Sequence, residues 1–202
     1  MRRQDVIEVL DGRGGIYQAK IVDDDARACE IKIVSSKMHS KAGYQITLAV
    51  SPTKNLDRME WMVEKTAELG INRIIPITCQ HSERRTLKTD RLKKKALGAL
   101  KQSRNPFLTQ IDELTSFEDL ISTPETEVSK FIAHSSGESH LFQRAKPDLN
   151  YLVLIGPEGG FSDNEIDQAR EAGFEEVVLG EFVLRTETAG LIACQTLHLL
   201  NI

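Results

Sequence analysis

The stretch from Tyr151 to Gly173 constrains the fold more than any other, because an apolar run, a glycine-rich turn and a capped helical pattern follow one another without a spacer. Tyr151-Leu-Val-Leu-Ile155 reads as a buried strand bounded by turn residues. It feeds directly into Gly156-Pro-Glu-Gly-Gly-Phe-Ser162. Pro157 fixes its own φ, while Gly159 and Gly160 tolerate positive φ and the close approach of another molecule to bare backbone. Ser162 with Glu165 has the spacing of a capping box. The helix that it opens turns Ile166 and Ala169 inward, ends near Ala172, and has Gly173 where a left-handed cap is expected.

A second turn repeats the design. Val177 to Leu179 reads as a strand, Gly180 opens a loop, and Val183-Leu184 lead to Arg185 and to Thr186 as the candidate N-cap of a helix over Glu187 to Leu200. The first turn of that helix offers free backbone N–H groups, the Thr186 and Thr188 hydroxyls and the Glu187 carboxylate, all beside the permanently charged Arg185. Either turn alone is accounted for by a capped helix with Arg185 and Glu187 paired on the surface. Two such turns in one chain point to a ligand site. The glycines match neither a dinucleotide G-x-G-x-x-G, nor a P-loop G-K-[ST], nor a hydrolase G-x-S-x-G elbow.

A chain of 202 residues, 40% hydrophobic and 28% charged, has room for one medium domain and a small one and can bury its own core. No apolar run approaches the roughly 20 residues that span a bilayer, and no hydrophobic signal region opens the chain, so a cytoplasmic protein is expected. Cys29, Cys79 and Cys194 are scattered and odd in number, and the histidines form no H-E-x-x-H pattern, so no disulfide and no metal site is expected. The net charge of -4 argues against a uniformly basic nucleic-acid protein. Residues 81–104 nevertheless carry nine Lys and Arg against Glu83 and Asp90, which fits a phosphate-binding surface or a solvated helix equally well.

Along the chain, Val6 to Leu10, Ile16 to Val22, Ala28 to Val34 and Gln45 to Val50 are strand-like runs separated by turn residues, and Ser51-Pro52 marks a break. Residues 1–51 therefore read as a small beta unit and 52–202 as an α/β unit. Within the latter, Arg58 to Leu69 is a helix stopped by Gly70, Ile74 to Ile77 a strand, Leu92 to Leu100 a helix and Phe131 to Ala133 a strand. The loop His134-Ser-Ser-Gly137 lies at the C-terminal end of that last strand, where open sheets hold ligands.

Gly156-Pro-Glu-Gly-Gly-Phe-Ser162 with Leu184-Arg-Thr-Glu-Thr-Ala189 resembles the signature of RsmE-type RNA methyltransferases, members of the SPOUT class. Met59-Glu-Trp-Met-Val-Glu-Lys-Thr-Ala-Glu-Leu-Gly70 and Ile74-Ile-Pro-Ile77 resemble the helix and strand that begin the family's catalytic domain, so similarity runs from about Val6 to the C-terminus. The resemblance implies a PUA-like beta barrel over 1–51, shortened at its N-terminus relative to the family. Behind it comes an α/β SPOUT methyltransferase domain over 52–202, whose C-terminal segment forms a trefoil knot, an exception to the usual topology. It further implies S-adenosylmethionine as cofactor, a homodimer, and methylation of N3 of a uridine in 16S rRNA, free or in the small ribosomal subunit.

Carried onto this sequence, the cofactor contacts fall on His134, Leu154, Ile155, Gly156, Glu158, Gly159, Leu179, Gly180, Leu184, Thr186 and Thr188. Ile155, Leu179 and Leu184 are expected to give adenine backbone partners and an apolar wall. Gly156, Gly159 and Gly180 would leave room for the ribose and methionine portions, and Glu158 would stand near the ribose or the sulfonium. Arg185 is expected to stabilise negative charge developing on the uracil oxygens, with Glu187, directly or through water, helping to remove the N3 proton. RNA contacts are expected from Arg84, Arg85, Lys101, Gln102 and Arg104. Gln102-Ser103 resembles a family motif near the catalytic face, although Arg104 follows Ser103 where the family has a spacer. A SPOUT methyltransferase with another RNA target and a non-catalytic RNA-binding protein retaining the knot remain open alternatives, the intact Arg185-Thr-Glu-Thr188 cluster speaking against the second.

Overall fold

The computed structural model describes residues 2–124 and 127–202. In front, β1 (Val6–Leu10), β2 (Gly15–Asp23) and β3 (Glu30–Met38) form an antiparallel sheet in that order. Then come β4 (Ile46–Val50), α1 (Leu56–Glu68), β5 (Arg73–Thr78), α2 (Asp90–Ser103), β6 (Gln110–Ile111), β7 (Thr115–Ser116) and α3 (Phe117–Ser122). The chain closes with β8 (Val128–Ala133), α4 (Leu141–Arg144), β9 (Asn150–Ile155), α5 (Asp163–Glu171), β10 (Glu175–Val177) and α6 (Thr186–Leu200).

Among the described residues, β4 to β10 form one sheet in the order β10-β8-β9-β4-β5-β6, with β7 beside β5 and every pairing parallel. Both of its faces are buried, and the period-2 alternation of a strand decides which residue goes where. Leu48, Val50, Ile74, Val153 and Ile155 pack under α1, α2 and α6. Ala49, Ile75, Ile77, Leu152 and Leu154 pack under α3 and α5 with Phe161.

Two sequence expectations change here. The run 45–50 groups with the front strands by spacing, yet β4 sits between β9 and β5 at the centre of the parallel sheet, so sheet membership changes between Met38 and Ile46 rather than at Ser51-Pro52. Its apolar content satisfies two buried faces, which only a central strand offers. With β4 used there, the front unit is a small antiparallel sheet and not the expected closed barrel, and every residue of β3 is exposed.

The front sheet is tied to the second unit through its β1–β2 turn. The Asp11 carboxylate accepts from the Arg13 and Gly15 N–H groups (2.7 and 2.9 Å). Gly14 donates to Pro106 O and Leu108 to Gly12 O, both at 2.9 Å. Gly14 is needed here, since its φ is +114° and a Cβ would stand 2.7 Å from His39 O.

At the other end of the sheet the chain leaving β10 passes closely under the loop after β8. Val177 O accepts from His134 N (3.0 Å), and Val178 exchanges hydrogen bonds with Ser139 and Leu141. A Cβ on Gly137 would lie 2.9 Å from the Val177 carbonyl carbon, so only glycine permits this crossing. Among the described residues, no helix is long and apolar enough to cross a membrane, and no group of His, Cys, Asp and Glu is placed to hold a metal.

Candidate active site

The parallel sheet ends its strands on one edge, and the loops leaving β8, β9 and β10 frame a cavity of about 520 Å³ there. The sequence fixes the β9 loop locally. Ser162 Oγ accepts from Glu165 N, and Glu165 Oε2 accepts from Ser162 N at 2.8 Å, so the capping box holds the start of α5. Glu165 Oε1 also accepts from Gln80 N at 2.8 Å, fastening the loop after β5 to the same cap. Gly173 takes φ +84° after α5, as its position predicts.

Most of the predicted cofactor residues meet at this cavity: His134, Ile155, Gly156, Glu158, Gly159, Leu179, Gly180, Leu184 and Thr186 line it, with Arg185. Thr186 is not the N-cap. Arg185 holds that position and Thr186 is the first helical residue, its Oγ1 donating to Gly156 O at 3.1 Å and so joining the two glycine-bearing loops. Arg185 is exposed, and while its carbonyl accepts from Ala189 N at 2.8 Å, its guanidinium has no hydrogen-bond or ion-pair partner among the described residues. Glu158 lines the cavity, and its Oε1 accepts from Lys54 N at 3.1 Å. His134 Nδ1 lies 2.8 Å from Ser136 Oγ.

Other placements differ from expectation. Leu154 is fully buried on the α5 side of β9, because alternate strand residues face opposite ways and Ile155 takes the cavity side. Thr188 and Glu187 do not line the cavity. A helix turns by about 100° per residue, so Arg185, Thr186 and Ala189 share the cavity side. Glu187 is only 7% exposed and turns toward α1, where its Oε1 is 3.7 Å from Arg58 Nε and its Oε2 is buried without a hydrogen bond. The bare faces of Gly156 and Gly159 point at the Phe161 ring and at His81 Cβ, each 3.1 Å from a built Cβ, whereas Gly180 alone of the three faces open space.

Sequence reasoning missed Ala133, Val177, Val178 and Ala189 in the lining, while Phe182 and Val183 fall within the expected loop 179–188. β10 ends at Val177 rather than Leu179, which lengthens the following loop. Ala189 was recoverable from its i+4 spacing to Arg185.

The predicted RNA contacts separate into two places. Arg84 and Arg85 stand in the loop before α2, and each guanidinium is partly engaged, donating to Lys54 O and to Gln80 O at 2.9 Å. Lys101, Gln102 and Arg104 lie at the far end of α2, because a helix following a parallel strand returns to the opposite edge of the sheet. Within one chain they are about 20 Å from the cavity end, not beside it. Along α2 the ion pairs Arg91–Glu60 (2.7 Å), Lys93–Glu113 and Lys95–Glu60 absorb part of the basic run, while Lys88, Lys94, Lys101 and Arg104 have no partner among the described residues.

An RNA methyltransferase domain model matches residues 40–198. Ribosomal RNA small subunit methyltransferase E of Aquifex aeolicus is 35% identical over 186 residues, covering 87% of this chain and 78% of that protein. This chain belongs to the ribosomal RNA small subunit methyltransferase E family. Solved structures agree. A probable rRNA-methyltransferase from Porphyromonas gingivalis superposes with a TM-score of 0.93 at 37% identity, over all of this chain and 87% of that one. The family enzyme of Neisseria gonorrhoeae, bound to S-adenosyl methionine, gives 0.91 at 28% identity, over all of this chain and 85% of that one. The methyltransferase E family thus supplies an α/β framework whose strand-end cavity coincides with the two glycine-bearing motifs.

Proposed function

We propose that this chain, working as a homodimer in the cytoplasm, transfers a methyl group from S-adenosylmethionine to N3 of a uridine in 16S rRNA, free or in the small ribosomal subunit. The observation that carries this reading is the cavity itself, which joins an apolar wall to an unpaired guanidinium. Its size lies in the range of small-molecule sites. Ile155, Leu179, Leu184 and Ala189 give the apolar wall, the loops 156–161 and 178–184 give main-chain N–H and C=O groups, and open space beside Gly180 admits a ligand close to backbone. These residues fit a nucleoside cofactor. When bound, S-adenosylmethionine supplies a methyl group activated on a positively charged sulfur.

The remaining chemistry falls to the chain's own side chains. The uridine N3 carries a proton and must lose it as the base becomes a nucleophile, so negative charge spreads onto the flanking carbonyl oxygens. Arg185, free of partners at the cavity, stabilises that charge. Glu187 stands behind the cavity wall and reaches the N3 proton only through water, while its pairing with Arg58 steadies the first turn of α6. The target base leaves its stack to enter the cavity, at a lower energetic cost for a base that is unpaired.

The tight crossing of the β10 end under residues 134–141 and the return of α6 over β4 and β9 support a trefoil knot. The front sheet supports a PUA-like unit in reduced form. For the homodimer, the support is exposed apolar side chains: Phe182 and Val183 at the cavity are 79% and 90% exposed, and Trp61 on α1 and Ile192 on α6 are exposed as well. The test is calorimetric titration of S-adenosylmethionine followed by nucleoside analysis of methylated small-subunit RNA. Cofactor binding and 3-methyluridine are expected. Binding with methylation at a ribose or another base atom would move the reading to a different SPOUT target, and no cofactor binding would overturn it.

A further inference from the structure

Leu179 and Leu184 pack against the core, and the four residues between them, 180–183, are all exposed. The two ends of this stretch are fixed. Val178 N donates to Ser139 O at 2.9 Å and Val178 O accepts from Leu141 N at 3.0 Å, while Thr186 Oγ1 donates to Gly156 O at 3.1 Å. Between these anchors stands Phe182, which lines the strand-end cavity although it is 79% exposed. Its ring meets no other ring among the described residues. Arg185, whose unpaired guanidinium belongs to the same cavity, follows three positions later.

A single exposed apolar side chain needs no explanation, but this one is an aromatic ring held at a cavity rim by a loop pinned on both sides. The wall offered to the cofactor, Ile155, Leu179 and Leu184, is buried or half-buried. Phe182 stands on the solvent side, where a group entering from outside meets it first. For a base methyltransferase that group is a nucleobase that has left its stack and lost the contacts of both its faces. Uracil has two kinds of surface: N3 and the carbonyl oxygens lie on its edge, while its faces are bare π surface. The N3 lone pair that takes the methyl group lies in the ring plane, so a side chain stacked on a face leaves the transfer unobstructed and fixes the plane in which it happens.

We infer that Phe182 is the stacking platform for the extruded uracil, its ring lying on one face of the base while Arg185 engages the edge. The stack replaces part of what the base loses on leaving the RNA and holds the plane that contains N3. Every base has a π face, so Phe182 supplies hold and orientation, and the choice of uracil stays with the groups at its edge. Val183 beside it is also exposed but has no flat face to offer. The inference rests on the base-methylation reading.

The test uses Phe182→Leu, Phe182→Ala and Phe182→Tyr in the full chain, with kcat/KM measured on a small-subunit rRNA transcript. Calorimetry of S-adenosylmethionine and sedimentation are run beside it. Leucine keeps apolar bulk without a π face, so it and alanine are expected to lower kcat/KM roughly fivefold to a hundredfold, while tyrosine stays within about threefold of the parent. Cofactor affinity, Tm and the salt dependence of RNA binding are expected to match the parent, because an exposed ring that lies on the base touches neither the cofactor nor a phosphate. A leucine variant as active as the parent, or a tyrosine variant as impaired as leucine, would overturn the platform alone. Cofactor affinity falling in step with kcat/KM would assign the ring to the adenine, and a smaller species in sedimentation would assign it to the subunit contact, either of which overturns the platform. A parent chain that yields no 3-methyluridine would overturn the methylation reading and the platform with it.

Discussion

Arg185 and Glu187 stand two positions apart at the start of α6 and meet opposite surroundings, one at the cavity and unpaired, the other buried against Arg58. Thr186 between them joins the two glycine-bearing loops through its bond to Gly156 O. Thr186→Val removes that donor while keeping the shape. A loss of about 1 kcal/mol in stability is expected by thermal melting, together with a clear weakening of S-adenosylmethionine binding by calorimetry. Unchanged cofactor affinity would mean that the loops hold their geometry without it. The cysteines offer a second check at this scale. Burial pushes the Cys79 and Cys194 thiols far up, whereas Cys29 is exposed in the β2–β3 turn. A disulfide reagent should therefore modify one thiol quickly in the native chain and the other two only on unfolding.

At the scale of elements, how much was legible depended on how local the determinants are. The β9–loop–α5 unit could be read almost residue by residue, because Ser162, Glu165 and Gly173 act within a few positions of themselves. The place of β4 could not, since a strand's apolar content says that it is buried but not which sheet buries it. β10 ended early because Val178 pairs with the 139–141 segment, a contact between distant parts of the chain. The same crossing yields a prediction. Gly137→Ala places a methyl group against the Val177 backbone, which cannot retreat between two sets of hydrogen bonds, so a loss of roughly 1 to 3 kcal/mol is expected in denaturant unfolding. An alanine variant as stable as the parent would show that the segment has slack.

Three surface carboxylates have their charged form favoured on folding, each a small contribution because solvent screens it. Backbone donors from Arg13 and Gly15 lower the Asp11 pKa in the turn that docks the front sheet. Hydrogen bonds from Lys93 and Thr89 do the same for Glu113, and Lys65 for Glu64. Because these folded values lie below the unfolded ones, their contribution is complete above the ordinary carboxylate range and disappears as pH falls through the lowered values. Tm should hold from neutrality to about pH 5 and drop steadily toward about pH 3, most of all in the docking of the front sheet. A flat profile would show that these groups titrate alike in both states.

If this strand-end cavity binds the methyl donor and Arg185 acts only on the reacting base, Arg185→Ala separates the two roles. Cofactor affinity and turnover on small-subunit RNA would be measured side by side. S-adenosylmethionine binding is expected to stay within about threefold of the parent while turnover falls by roughly a hundredfold to a thousandfold or more. A loss of cofactor affinity in step with turnover would contradict the account, because Arg185 would then belong to the cofactor and not to the base.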